Sequence, residues 1–222
     1  YSVRSEDSWG IGDARDLAET ASFFGDLGAD FVLINPLHAA SPIAPMAPSP
    51  YLPVTRRFVN PIYIRPEDIP EVAYLPGPQR SLVTWAAEDV RALNTQNEPI
   101  DRDAAWEAKS QALEVIFSAG RSRSRQRDFE RFRERGGKGL ADFALWCALV
   151  EKHGDHFPEE LSSSTSLFVP RQRRELAGRV EYYSWLQWIV DEQLEAAQRA
   201  AREAGMEIGI MQDLAVGVHP AN

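Results

Sequence analysis

Cysteine is nearly absent from this 222-residue chain: Cys147 stands alone, which excludes a disulfide framework and a cysteine-built metal cluster. No apolar run approaches the ~18–20 residues of a membrane span, and no charged-then-apolar leader opens the chain. Positive charge is in deficit, with 24 Lys+Arg against 33 Asp+Glu and a formal net charge of −9, which argues against nucleic acid or an anionic membrane as the main partner. None of the three methionines stands first; residue 1 is a tyrosine, so the sequence reads as a piece of something longer. What is present is ordinary for a globular protein, 44% hydrophobic and 26% charged.

Proline is unevenly placed. Of 15 prolines, 11 lie between Pro36 and Pro78, marking a long, stiff loop system with regular structure on either side. Before it, Ser8-Trp9-Gly10-Ile11-Gly12-Asp13 is a tight turn that delivers Asp13 as a helix N-cap. Leu17, Ala18, Ala21, Phe24 and Leu27 follow at helical spacing, and Gly28 stops the pattern. Phe31-Val32-Leu33-Ile34, closed by Asn35-Pro36, predicts a strand buried on both faces, as in a parallel sheet. The opening Tyr1 to Ser5 is expected to be the tail of a preceding strand. From Ser81 to Gly205 the chain reads as helices near 82–93, 101–119, 121–135, 140–150 and 181–204. Met206 to Met211 then leads to Asp213, a second helix, Gly, strand succession. The expected class is α/β, with three parallel strands ending near Ser5, Asn35 and Asp213 and a large helical insertion between the last two. The expected segments are 1–80, 81–205 and 206–222.

In parallel α/β sheets the ligand groups sit at the carboxyl ends of strands. Those ends offer an exposed Trp9, then Asn35 and His38 with Ser49-Pro50-Tyr51 and Arg56-Arg57-Phe58, then Asp213 and His219. Aromatic faces beside carboxylates suit a neutral, polyhydroxylated ligand; the competing reading is that Trp9, Tyr51 and Phe58 only pack the loop. The histidines show no HExxH spacing, and His153 with His156 reads as a solvated pair. No Gly-x-Ser-x-Gly elbow or third fingerprint glycine occurs, and Cys147 sits in an apolar run as inert core. The stretch Arg121–Arg135 holds seven arginines interleaved with Asp128, Glu130 and Glu134, the pattern of a solvated helix face. One candidate carboxylate, Asp213, is not a glycosidase, because retaining chemistry needs two carboxyl groups about 5–5.5 Å apart.

Three stretches carry a family resemblance. Tyr1-Ser2-Val3-Arg4-Ser5 with Trp9-Gly10-Ile11-Gly12-Asp13, then Phe31 to His38 with Ser49-Pro50-Tyr51, Arg56-Arg57-Phe58 and Asn60 to Ile64, and finally Ile208 to Pro220 resemble the 4-alpha-glucanotransferases. These are the amylomaltases or disproportionating enzymes of glycoside hydrolase family 77, in the alpha-amylase clan; the third stretch is similar to actinobacterial members. The resemblance implies an incomplete (β/α)8 TIM barrel, about its first three strands. It also implies transfer of α-1,4-glucan segments (maltooligosaccharides) to glucose or another glucan by a retaining mechanism, with no cofactor or metal, in the cytoplasm. Tyr51 and Asp213 match the family's sugar-stacking tyrosine and third-strand aspartate, and Ser49 and Trp9 match positions near the glucan cleft. Members of this subgroup often carry His before that aspartate; here Gln212 stands there, pointing away by strand alternation. The catalytic Asp, Glu and Asp of the family fall on the fourth, fifth and seventh strands, beyond Asn222. The piece is therefore expected to be inactive alone and to self-associate through open strand edges. The alternative is a non-catalytic glucan-binding or helical interaction module.

Overall fold

The computed structural model describes residues 3–154, 158–161 and 163–218. The chain folds as two compact units, one of residues 1–40, 47–120 and 189–222, the other of residues 41–46 and 121–188.

The first unit begins as the sequence predicts. Asp13 caps α1 (Ala14–Asp26): its carboxylate accepts from the Arg15 and Asp16 amides, while Asp16 accepts from the Asp13 amide. This reciprocal pair satisfies donors that every helix start leaves open. Gly28, at φ 89°, ends the helix and turns the chain into β1 (Phe31–Ile34). In chain order β2 (His38–Ala39) and β3 (Thr55–Val59) follow and pair antiparallel. Three 3₁₀ turns come next, Pro61–Tyr63, Pro66–Asp68 and Pro70–Tyr74. Each starts on a proline, whose fixed φ and missing N–H suit the first position of a helical turn. The proline-rich stretch is thus a chain of short elements as well as loop. Helices α2 (Gly77–Arg91) and α3 (Arg102–Ser118) pack against each other; α2 buries Val83, Ala86, Ala87 and Val90, and α3 buries Ala105, Ala108 and Ala112 among others. Asp101 caps α3 through the Ala104 amide at 2.9 Å.

The second unit holds α4 (Arg123–His153), α5 (Val169–Glu175) and the first part of α6 (Ala177–Glu203). The expected stop at Gly136-Gly137 is seen as a break inside α4, where Gly137 takes φ 53°, ψ −145°. Phe129 and Trp188 meet with ring centroids 5.4 Å apart, and Leu140, Ala144, Leu145 and Cys147 of α4 are also buried. The arginine run is not a purely solvated face. Arg125 lies 4.0 Å from the Trp188 ring centre and Arg121 4.8 Å from that of Phe129, while Arg121 also pairs with Glu181. These guanidinium groups cover aromatic rings, so part of the run is packing.

β4 (Gly209–Gln212) returns to the first unit and pairs parallel with β1, Leu33 opposite Met211. Two expectations are corrected here. Residues 3–5 form no strand, and Tyr1 and Ser2 lie outside the described residues, so the parallel sheet among the described residues has two strands. Nor is β1 buried on both faces: Val32 and Ile210 pack with Ala21, Ala201 and Met206, whereas Phe31, Leu33 and Met211 are exposed. Helices α1 and α6 cover one face only, and four apolar residues in a row cannot report which face finds a partner.

That covered face requires Gly25. A Cβ there would stand 2.9 Å from both the Cβ and the carbonyl oxygen of Ala204. Gly25→Ala is expected to destabilise the protein by about 1–2 kcal/mol in denaturant unfolding, overpacking outweighing the gain in helix propensity. An unchanged or raised midpoint overturns this reading of the α1–α6 contact.

Candidate functional site

The carboxyl ends of β1 and β4 place Asn35 and Asp213 side by side. The Asp213 amide donates to the Ile34 carbonyl at 2.9 Å, extending the parallel pairing one step past the strand. Alternation does the rest: Leu33 and Met211 point away from the helices, so Asn35 and Asp213, two residues on, fall on that same open side.

Tyr51, from the loop between β2 and β3, reaches this point. Its hydroxyl lies 3.0 Å from Asp213 Oδ2 and 3.3 Å from Asn35 Oδ1. The single phenolic proton serves the shorter, charge-assisted contact. The other carboxylate oxygen of Asp213 accepts from the Leu214 amide at 2.8 Å. Ser49 shapes the turn before Tyr51, accepting from the Tyr51 amide at 3.3 Å. A cavity of ≈610 Å³ opens next to β1, with Leu33, Asn35, His38, Ser49, Tyr51 and Asp13 among its lining residues.

Of the four residues picked from the sequence, the structure brings Tyr51 and Asp213 into direct contact and puts Ser49 one turn away. Trp9 is different. Expected on an exposed rim, it is fully buried, with its indole N–H donating to the Glu67 carboxylate at 3.0 Å. The ring offers no face to a ligand in this structure and packs the Ser8–Asp13 turn against the 3₁₀ segment carrying Glu67. His219 and His156 lie outside the described residues. Cys147 is buried and its thiol is pushed far up by desolvation, in keeping with inert core. Among the described residues no group of three His, Cys, Asp or Glu side chains is placed to hold a metal ion, and no helix is long and apolar enough to cross a membrane.

Two features escaped the sequence reading. One is a buried ionic network at the cavity's edge. Arg65, only 1% exposed, donates through Nε to Asp13 Oδ2 at 2.6 Å, through Nη2 to Asp16 Oδ1 at 3.2 Å and through Nη1 to the Asp7 carbonyl at 2.9 Å. Ser5 and Ser8 donate to Asp16 at 2.6 and 2.7 Å. Lys109, fully buried, donates to the Ile62 carbonyl at 2.6 Å with Asp13 Oδ2 3.7 Å away, and burial pulls its pKa down to about 8. The other is the convergence of His38 and Arg56, both placed at the strand-end rim by the sequence, on the segment after Asp213. An Asp-rich turn ahead of a helix and the Arg65-Pro66-Glu67-Asp68 string were visible, but not that they meet.

The glycoside hydrolase family 77 model, described as 4-alpha-glucanotransferase, matches residues 1–222, and the chain belongs to this family. A 4-alpha-glucanotransferase of Mycobacterium tuberculosis is 47% identical over 234 residues, covering 99% of this chain and 32% of the relative. That of Haemophilus influenzae is 33% identical over 241 residues, covering 97% and 34%. The chain therefore spans about a third of the length of these curated relatives. Among solved structures, the amylomaltase from Corynebacterium glutamicum superposes with a TM-score of 0.86 at 48% identity, over 99% of this chain and 30% of that one. An amylomaltase from Streptococcus agalactiae, solved in complex with acarbose, shares the fold at TM-score 0.77 and 18% identity, over 98% of this chain and 42% of that one.

Proposed function

We propose that this chain forms the sugar-supporting wall of the donor cleft in a 4-alpha-glucanotransferase. In this reading the parallel β1–β4 pair belongs to a (β/α)8 barrel, with α2 to α6 inserted between its second and third strands. The observation that carries it is the Tyr51 hydroxyl on Asp213 at the ends of those strands, 3.0 Å apart. The ring of Tyr51, 42% exposed, is available to stack on a pyranose face, while its hydroxyl fixes the ring's tilt. Asp213, held by Tyr51 and the Leu214 amide, accepts hydrogen bonds from the hydroxyls of the glucose unit whose glycosidic bond is cleaved.

The chemistry is retaining transfer of an α-1,4-glucan segment to glucose or another glucan. A nucleophilic carboxylate displaces the leaving glucan at C1 while an acid/base carboxyl protonates the departing oxygen, and the acceptor hydroxyl then displaces the enzyme. Those two carboxyl groups are not among these 222 residues; Tyr51, Asp213 and Ser49 bind and orient. The protein works in the cytoplasm without a resident metal or cofactor, and the separate 222-residue piece self-associates through the uncovered Phe31, Leu33 and Met211 face.

The test is disproportionation of maltotriose by the full-length gene product, read as released glucose. Activity in the full-length product, with none in the 222-residue piece, supports the proposal. Turnover by the piece alone overturns it, and maltooligosaccharide binding with no turnover in either points to a binding module. Tyr51→Ala is expected to raise KM for maltotriose at least tenfold, about 1.4 kcal/mol of lost stacking and positioning; an unchanged KM removes Tyr51 from the site.

A further inference from the structure

Asp213 is held by more than its contact with Tyr51. The segment that follows it is poorly anchored by packing: Leu214 is 59% exposed and Val216 95%, and only Ala215 is buried. Its backbone is gripped by polar groups instead. The Ala215 amide donates to His38 Nε2 at 3.3 Å, from β2. The Ala215 and Val216 carbonyls each accept from Arg56 Nη1 at 3.3 Å, from β3. The antiparallel β2–β3 pair, whose connecting loop carries Tyr51, thus reaches the loop after β4 at three points: hydroxyl to carboxylate, imidazole to N–H and guanidinium to C=O.

We propose that His38 and Arg56 are positioning residues that clamp residues 214–216 and thereby hold the Asp213 carboxylate at the Tyr51 hydroxyl. This rests on the reading of Tyr51 and Asp213 as the sugar-supporting pair. The clamp has a built-in condition. His38 Nε2 is an acceptor here, so the ring must be neutral; a protonated ring turns that nitrogen into a second donor facing the Ala215 N–H, and the contact becomes repulsive. The charged groups facing His38 are Arg56 from β3 and Asp213 after β4. Burial first, then Arg56, hold its pKa below the ordinary 6.5 against the opposing pull of Asp213. The clamp is therefore closed at neutral pH and opens as acid protonates His38.

Three variants of the full-length protein test this. His38→Phe keeps a flat ring but has no acceptor; His38→Gln offers an amide oxygen that does not titrate; Arg56→Gln removes the charge and shortens the reach to the carbonyls. Two readouts separate the clamp from the catalytic reading. The first is hydrogen–deuterium exchange of a peptide spanning residues 213–218, which needs no activity. It is expected to speed up at least tenfold in His38→Phe and Arg56→Gln at pH 7, and less than threefold in His38→Gln. The second is the pH profile of kcat/KM for maltotriose. His38→Phe is expected to lose at least tenfold at pH 7, while His38→Gln keeps most of the activity and loses the acidic limb belonging to His38. Unchanged exchange in all three variants overturns the clamp. Faster exchange with an unmoved pH profile overturns its role in holding Asp213. A protein that shows the exchange pattern but transfers no glucan leaves the clamp standing and overturns the functional reading it serves. If His38→Phe fails to fold, the comparison of wild type with His38→Gln and Arg56→Gln decides by the same criteria.

Discussion

Arg65→Met is expected to cost about 3–5 kcal/mol in denaturant unfolding, the range for removing one partner from a buried ionic group. The guanidinium holds two carboxylates and a carbonyl at once, and its side chain and those of Asp13 and Asp16 are at most 2% exposed. Removing it leaves Asp13 facing Lys109 at 3.7 Å and Asp16 held by Ser5, Ser8 and the Asp13 amide. The Ser5 and Ser8 hydroxyls and the Asp13 amide are neutral donors and cannot replace a cation at a buried carboxylate. Arg65→Lys restores the charge as a point rather than a fork and recovers only part of the loss. A second variant separates charge from shape: Arg65→Met with Asp16→Asn is expected to be more stable than Arg65→Met alone, because Asp16, unlike Asp13 beside Lys109, is the carboxylate left facing neutral donors when the guanidinium goes. A loss below about 1 kcal/mol for Arg65→Met shows instead that the carboxylates are satisfied without it. On the proposed reading of the site, the same substitution in the full-length protein is expected to raise KM for maltotriose, because Asp13 and Asp16 border the cavity and the Ser5–Asp13 turn loosens.

That network marks the limit of what the sequence disclosed. Local punctuation was legible: Asp13 as a cap, Gly28 and Gly205 as helix stops, and the apolar runs ending at Asn35 and Asp213 each act over a few residues. Their structural consequences followed, including the parallel pairing of β1 with β4 across the helical stretch. Contacts that depend on chain return were not legible. Tyr51 and Asp213 are 162 residues apart, and only the family resemblance tied both to one sugar. Trp9 looked exposed because a glycine-rich turn surrounds it; its burial depends on Glu67, 58 residues on, supplying an acceptor for the indole. Strand burial failed for a related reason. Phe31 to Ile34 is apolar at every position, and such a run states that both faces can be covered, not that both are. His38 stood in the sequence as one of four histidines, and nothing near it in the chain announced Ala215 as its donor.

Lys109 sets a pH dependence of the opposite sign to an ordinary surface lysine. Its ammonium is fully buried; burial is the largest influence, Asp13 opposes it and Arg65 reinforces it, so the pKa falls from 10.5 to about 8. The unfolded chain keeps this proton up to about pH 10.5, while the folded chain releases it near pH 8. Between those limits the unfolded state binds more protons, and stability from this group rises with pH. Below pH 8 both states are charged and the folded one carries the full burial penalty. Each tenfold separation is worth about 1.4 kcal/mol, so the gain across the window reaches about 3 kcal/mol. The measurement is unfolding free energy at pH 7.5 and 10.5 for wild type and Lys109→Met, which cancels titrations common to both. The wild type is expected to gain about 3 kcal/mol relative to the variant over that interval; a flat difference shows that Asp13 and the Ile62 carbonyl hold the ammonium as well as water does. The sign also bears on the site. Loss of the Lys109 proton leaves Arg65 as the cation directly bonded to Asp13 at 2.6 Å, so the turn that edges the cavity rests more heavily on Arg65 as pH rises. The destabilisation caused by Arg65→Met is accordingly expected to be larger at pH 9.5 than at pH 7.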